Sequence, residues 1–399
     1  MSEPDPNPFR RIVFYIPGYD PMSARRYREL YRKEGERQAA ISGYRLTTKG
    51  QTGGEDYSWT VAFEKGQEQA QTTVHLCQWN DLVRASMARS ILGTYGVMVR
   101  TAWLYIASGA FLALVRLRPA PMLAAIYPVV VLLAQAALAF ALAWAFAAWL
   151  QPLWLGLPLG LAAAVAVLVA FKRWDAKIFA YYLMTDYAFS AQDKGATPAP
   201  MEAREAAFAS RIRAALDQDV DEVLVVGHSS GAHVGVGVVA KVLSAGPLPQ
   251  RPQLSFLTLG HVIPMVSFLP RATGLRRDLK MLSRTKALTW VDVTAPGDGA
   301  CFALSDPVHV TGVAPPEADK HNPKVLSAAF SHTLSNETVG RTRWRFFRRH
   351  IQYLYAFERP GWYDYFQVSA GPKSLAARYG ARGATASRIE TPLSPYRDV

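Results

Sequence analysis

Apolar and polar residues change rhythm several times along this chain, and each rhythm predicts a different element. Near the start, Arg11–Ile16 reads RIVFYI and stops at Pro17-Gly18. A short β-branched and aromatic run of this kind predicts a buried strand feeding a loop. A polar stretch with helical spacing follows at 23–40, then two strand-like segments at 57–63 and 72–79. In the second half, 175–189 and 201–216 read as helices. Glu222–Val226 is a fully apolar strand that meets Gly227, and a small-residue helix follows at 231–243. Further strands are expected at 254–259 and 287–293. Strands alternating with helices predict an α/β fold with a mostly parallel sheet covered on both faces. The stretch from Gly371 is rich in Gly, Ala, Ser, Pro and Arg and is expected to be disordered. No internal repeat is present.

One region breaks the alternation. From Pro119 to Phe171 there is no Asp, Glu, Lys or Arg. A bilayer crossing takes about 20 residues, so this run is too long for one span. It divides near Gln151-Pro152 into spans at about 122–150 and 153–171, a transmembrane helical hairpin. A soluble buried hairpin is the competing reading, but soluble helices normally keep a polar stripe. A third apolar run, 101–115, lies between Arg100 and Arg116. It is short for a span and is expected to be an interfacial or re-entrant helix. The chain then divides into 1–95 and 174–370, two parts of one globular domain, an insert at 96–173, and the tail 371–399.

Composition agrees with the insert. Half of the residues are hydrophobic and only 19% are charged, a balance that favours a membrane segment over disorder. The net charge of +13 fits attraction to anionic lipid head groups. No nucleic-acid motif accompanies it, so no nucleic-acid partner is expected. Arg100, Arg116 and Arg118 precede the hairpin, and Lys172, Arg173 and Lys177 follow it. The positive-inside rule then puts both flanks in the cytoplasm, as in a multi-pass protein of a bacterial-type inner membrane. The opening MSEPDPNPFRR lacks an apolar core, so no cleavable signal peptide is expected. Cys77 and Cys301 form neither a metal-ligand spacing nor a disulfide framework.

The candidate chemistry lies at Gly227-His228-Ser229-Ser230-Gly231, directly after an apolar strand and directly before a helix. A nucleophilic serine needs an exposed hydroxyl at a tight strand-to-helix turn, and flanking glycines permit that turn. The helix N-terminus then directs N–H groups at a developing oxyanion. The five-residue pattern alone arises by chance; the strand–turn–helix setting makes it specific.

VLVVGHSSGA resembles the nucleophile elbow of α/β-hydrolases, especially lipase- and esterase-like members. FYIPGYDP resembles the strand and loop that supply the second oxyanion donor in that superfamily. Where His-Gly often stands, this chain has Pro17-Gly18. The resemblance covers roughly 10–95 and 175–360. It implies an α/β-hydrolase-like fold, Ser229 as nucleophile, and backbone N–H groups of Tyr19 and Ser230 as the oxyanion hole. It also implies the order Ser, acid, His. ALTWVDV followed by TAPGDGACF resembles the acid loop, which makes Asp298 the first choice of acid, with Asp306 and Asp292 as alternatives. Any one of these could instead be a turn or core residue. His350, in RRHIQYLYAF, is followed three residues later by Tyr353, which resembles the end of several lipase-like sequences. His332 and His321 are the alternative bases. His228 is expected to pack inside the elbow and His233 to point along the helix; His75 and His261 precede the acid, and His309 follows it too closely, in an expected strand.

The expected activity is cleavage of a carboxylic ester of a lipid or other acyl substrate by a serine hydrolase beside the membrane. It requires no metal and no organic cofactor. An acyltransferase or thioesterase would use the same residues, and a catalytically inactive fold serving as an interaction module would use none of them. Arg341, Arg343, Arg345, Arg348 and Arg349 interleave with Trp344, Phe346 and Phe347. This segment suits either an interfacial basic-aromatic contact with lipid or a helix with one solvated face.

Overall fold

The computed structural model describes residues 8–51, 57–343 and 345–399. Trp344 and residues 1–7, on which the signal-peptide expectation falls, lie outside the described residues. Eight strands form one sheet: β1 (Phe9–Ile16), β2 (Arg45–Gly50), β3 (Ser58–Lys65), β4 (Glu68–Leu76), β5 (Glu222–His228), β6 (Gln253–Leu259), β7 (Thr289–Thr294) and β8 (Lys324–Ser327). Their order is β2-β3-β4-β1-β5-β6-β7-β8. The pairs β2–β3 and β3–β4 are antiparallel, and every pair from β4 to β8 is parallel. The fold is therefore α/β, with a mixed, mostly parallel sheet.

Side-chain alternation on the strands feeds two cores. On β1, Val13 and Tyr15 enter one, while Ile12, Phe14 and Ile16 enter the other. Helices Ala24–Ser42, Tyr365–Ala370 and Leu375–Tyr379 cover the first face. Helices Ala199–Leu216, Gly231–Ser244 and Thr273–Arg284 cover the second. Because β5 is covered on both sides, all seven of its residues are buried. That explains its unbroken apolar run.

The tail is not disordered, contrary to the expectation from its composition. Leu375 and Tyr379 insert into the first core. Arg11 reaches the carbonyls of Gly371 (2.8 Å) and Lys373 (2.6 Å). Its Nε is paired with Glu222 at 2.5 Å, with both side chains fully buried. Further along, Ile389 N–H donates to Leu304 O (2.7 Å) and Leu393 N–H to Val310 O (3.0 Å). A few apolar anchors and satisfied backbone groups order a segment whose composition alone suggests a loose chain.

Between β4 and β5 the chain builds two long apolar helices, Pro119–Trp149 and Leu153–Arg173, each long and apolar enough to cross a membrane. They pack as a hairpin. Gly156 and Gly160 form a small-xxx-small pair on the contact face. A Cβ on either would come within 2.6 Å of a carbonyl oxygen on the partner helix, Phe146 or Ala143. Outward-facing Phe140, Trp144, Trp149 and Trp154 are exposed. The run expected as one helix at 101–115 is broken. Helices Ile91–Ala107 and Ala110–Leu117 meet at a 76° bend, where Gly109 takes a positive φ of 75°.

Candidate active site

The parallel strands end on one edge of the sheet, and there β5 turns sharply into helix Gly231–Ser244. Ser229 occupies the turn at φ 57°, a left-handed conformation that is uncommon for a residue with a side chain. A Cβ on Gly231 would stand 2.6 Å from the carbonyl oxygen of Pro17, and one on Gly227 equally close to that of Gly231. Only glycines let the helix approach the β1 loop this closely. Gly18 of that loop would bring a Cβ within 3.0 Å of Ser229 Cβ. The Pro17–Tyr19 loop therefore lies against the serine. Ser230 forms the N-cap of the helix, and the first N–H groups of a helix have no partner within it.

Ser229 Oγ is 2.7 Å from His350 Nε2, and His350 Nδ1 is 2.8 Å from Asp298 Oδ2. Asp298 is buried and follows β7; His350 ends the short helix Phe346–His350. The first-choice serine, acid and base thus come together from three distant parts of the chain. Asp298 Oδ1 accepts the N–H of Ala300 (2.9 Å), and Oδ2 also accepts the hydroxyl of Tyr353 (3.1 Å). The Tyr353 oxygen in turn accepts the N–H of Ala295 (3.0 Å). An ionised carboxylate can only accept, so Nδ1 of His350 carries the proton and Nε2 faces Ser229 as an acceptor.

Electrostatics follow this arrangement. Burial disfavours the carboxylate of Asp298, but His350 and the hydrogen bonds it receives outweigh that and hold it below the usual carboxylate range. Burial disfavours the imidazolium of His350, but Asp298 outweighs it and raises His350 above the usual range. Burial pushes His228 down to about 3. It is neutral, and its Nε2–H donates to the carbonyl of His350 at 3.0 Å. His228 therefore fixes the backbone of the residue that faces Ser229.

The alternative residues stand elsewhere. Asp292 lies inside β7, accepts the Thr258 hydroxyl (2.6 Å) and sits 3.6 Å from His261 Nε2. Burial pushes it up to about 6. Asp306 caps helix Pro307–Thr311. With His309 and Glu390 it offers ligand atoms within 4.8 Å of one another. Lys320 Nζ is 2.9 Å from Asp306 Oδ2, so this carboxylate already has a cationic partner. His321 and His332 are exposed.

Two further residues escaped the reading of the sequence. Tyr182, on helix Ala180–Ser190, donates its hydroxyl to the carbonyl of Tyr19. Asp186 is half-buried on the same helix. Burial pushes its carboxyl up to about 7, opposed by His350. The only signal was a lone acid within AYYLMTDYAFS. No family model, curated protein or solved structure matches the chain.

Proposed function

We propose that this chain is a membrane-anchored serine hydrolase of the α/β-hydrolase type that cleaves carboxylic esters of a lipid or acyl substrate. The observation that carries this reading is the continuous Ser229–His350–Asp298 hydrogen-bonded line at a left-handed strand-to-helix turn. In the reaction, His350 Nε2 takes the proton of Ser229 as Oγ attacks the ester carbonyl carbon. Tyr19 and Ser230 N–H groups stabilise the oxyanion. The acyl–oxygen bond breaks, and His350 returns the proton to the departing alcohol. Water then attacks the acyl-serine with His350 again as base, releasing the carboxylic acid. Asp298 orients the imidazole and stabilises its cation.

The two long apolar helices support anchoring in a bilayer. Their exposed tryptophans at 149 and 154 suit one interface. The basic residues at Arg116, Arg118, Lys172 and Arg173 suit a cytoplasmic face at the other. A fluorophosphonate probe tests the reading. It is expected to label the wild-type protein and not Ser229→Ala. Equal labelling of both, or labelling of neither, rejects Ser229 as the nucleophile.

A further inference from the structure

The feature left unexplained is an exposed aromatic group at the foot of the hairpin. The Phe347 ring lies 4.6 Å from Phe179 and 5.8 Å from Tyr182. Phe347 stands three residues before His350, on the same short helix. Tyr182 holds the Tyr19 carbonyl. A closed circuit results: Tyr19, Tyr182, Phe347, His350, Ser229, Gly18 and back to Tyr19. Aromatic rings thus bridge the gap between the oxyanion loop and the histidine on the side of Ser229 that faces the hairpin.

That bridge is fixed to the hairpin. Tyr127, on the first long helix, donates its hydroxyl to the carbonyl of Ile178 at 2.7 Å. Asp175 accepts the N–H groups of Tyr181 (2.8 Å) and Tyr182 (2.9 Å). Phe179 and Phe347 are each more than a third exposed, and Phe346 and Trp174 are half exposed or more. Exposed Arg173 and Lys177 neighbour Trp174 and Phe179 along the chain, and exposed Arg345 neighbours Phe346. An apolar patch with a cationic rim, continuous with the foot of a long apolar hairpin, suits the head-group boundary of an anionic bilayer.

We propose that Phe179 and Phe347 form the acyl-chain entrance to Ser229, facing the lipid, so that the substrate is an ester of a bilayer lipid. This rests on the serine-hydrolase reading. Moving Phe347 away from both Phe179 and Tyr182 opens the bridge on the side from which a lipid chain would come. The cationic rim holds that opening at the level of the phosphates.

The test uses the full chain reconstituted in phosphatidylglycerol–phosphatidylcholine vesicles. Release of fatty acid from the vesicle lipid is compared with hydrolysis of soluble p-nitrophenyl acetate. Phe347→Asp is expected to lower the vesicle-to-soluble ratio of kcat/KM by about tenfold or more, as for losing one apolar contact and facing lipid with a charge. Phe347→Leu is expected to restore most of that ratio. Phe179→Asp serves as the second variant if Phe347→Asp does not fold. A ratio within about twofold of wild type in the folded variants overturns the entrance. So does a wild type that turns over the soluble ester and not the lipid. Absence of Ser229 labelling and of both activities in the wild type overturns the hydrolase reading itself, and the entrance with it.

Discussion

Replacing Asp298 with Asn separates geometry from charge at the site. The carboxylate holds three partners: Ala300 N–H on Oδ1, and His350 Nδ1 and the Tyr353 hydroxyl on Oδ2. An Asn that keeps its oxygen on Ala300 turns its NH2 toward Nδ1, at the present 2.8 Å. The imidazole must then accept there and carry its proton on Nε2, where it can no longer take one from Ser229. Flipping the amide restores the working tautomer but sets its NH2 against the Ala300 N–H. Leaving that half-buried group without its acceptor costs about 1–3 kcal/mol. The tautomer effect alone therefore slows acylation by about tenfold to a hundredfold. Losing the charge that stabilises the imidazolium adds to this, for a total of about 10²–10⁴ in kcat. The assay is p-nitrophenyl acetate hydrolysis together with the rate of fluorophosphonate labelling. The pH profile supplies a second readout. The base must be neutral, and Asp298 raises its pKa, so the rising limb in wild type lies above about 6.5. Without the carboxylate that limb moves to lower pH. A folded Asp298→Asn protein with activity within about tenfold of wild type would refute the orienting role.

Two other outcomes are expected. Glu222→Gln leaves the fully buried Arg11 guanidinium without its counter-charge, which costs about 3–5 kcal/mol; a clear fall in the thermal midpoint checks it, and an unchanged midpoint contradicts it. The protein is expected to stay in the membrane fraction through carbonate and high-salt washes, whereas attachment through surface arginines would be released by salt.

Much of this architecture was legible because burial leaves a strong mark. β1, β5, β6 and β7 are covered on both faces and read as apolar runs. The elbow was legible because Gly227 and Gly231 meet a steric demand that no other residue satisfies. β2 was missed because it is an edge strand, and RLTTKG buries only Leu46. A polar edge strand is set by pairing with its neighbour, and pairing leaves no periodicity in the strand itself. β8 has only four residues, two of them buried. The choice among histidines rested on the Tyr three residues after His350. The structure gives that pattern a physical basis, since Tyr353 donates to the same Asp298 oxygen as His350. Tyr182 could not be singled out from sequence, because its bond to the Tyr19 carbonyl depends on how the segment after the insert packs against the sheet.

That packing follows from the topology. β1 lies between β4 and β5 and is parallel to both, with Tyr15 opposite Leu76 and Ile16 opposite Gly227. The ends of all three strands therefore share one edge, where α/β sheets hold their ligands. The chain leaves β4 from that edge to build the hairpin. At the point of departure, Trp79 donates its indole N–H to the carbonyl of Pro17 at 2.9 Å. After the hairpin, the Ala180–Ser190 helix passes the same loop. Only then does Ala199–Leu216 carry the chain back to the opposite edge to start β5. An excursion that begins at the C-terminal edge must rejoin the same sheet, so on the proposed membrane reading its helices cross a bilayer an even number of times. It also places the helix that follows it against the Pro17–Tyr19 loop. An insert after β6 or β7 would leave from the same edge but farther from the Pro17–Tyr19 loop. The position of the insert in the chain, between the two strands that flank β1, is what brings the helix at the foot of the hairpin, Ala180–Ser190, against the Pro17–Tyr19 loop.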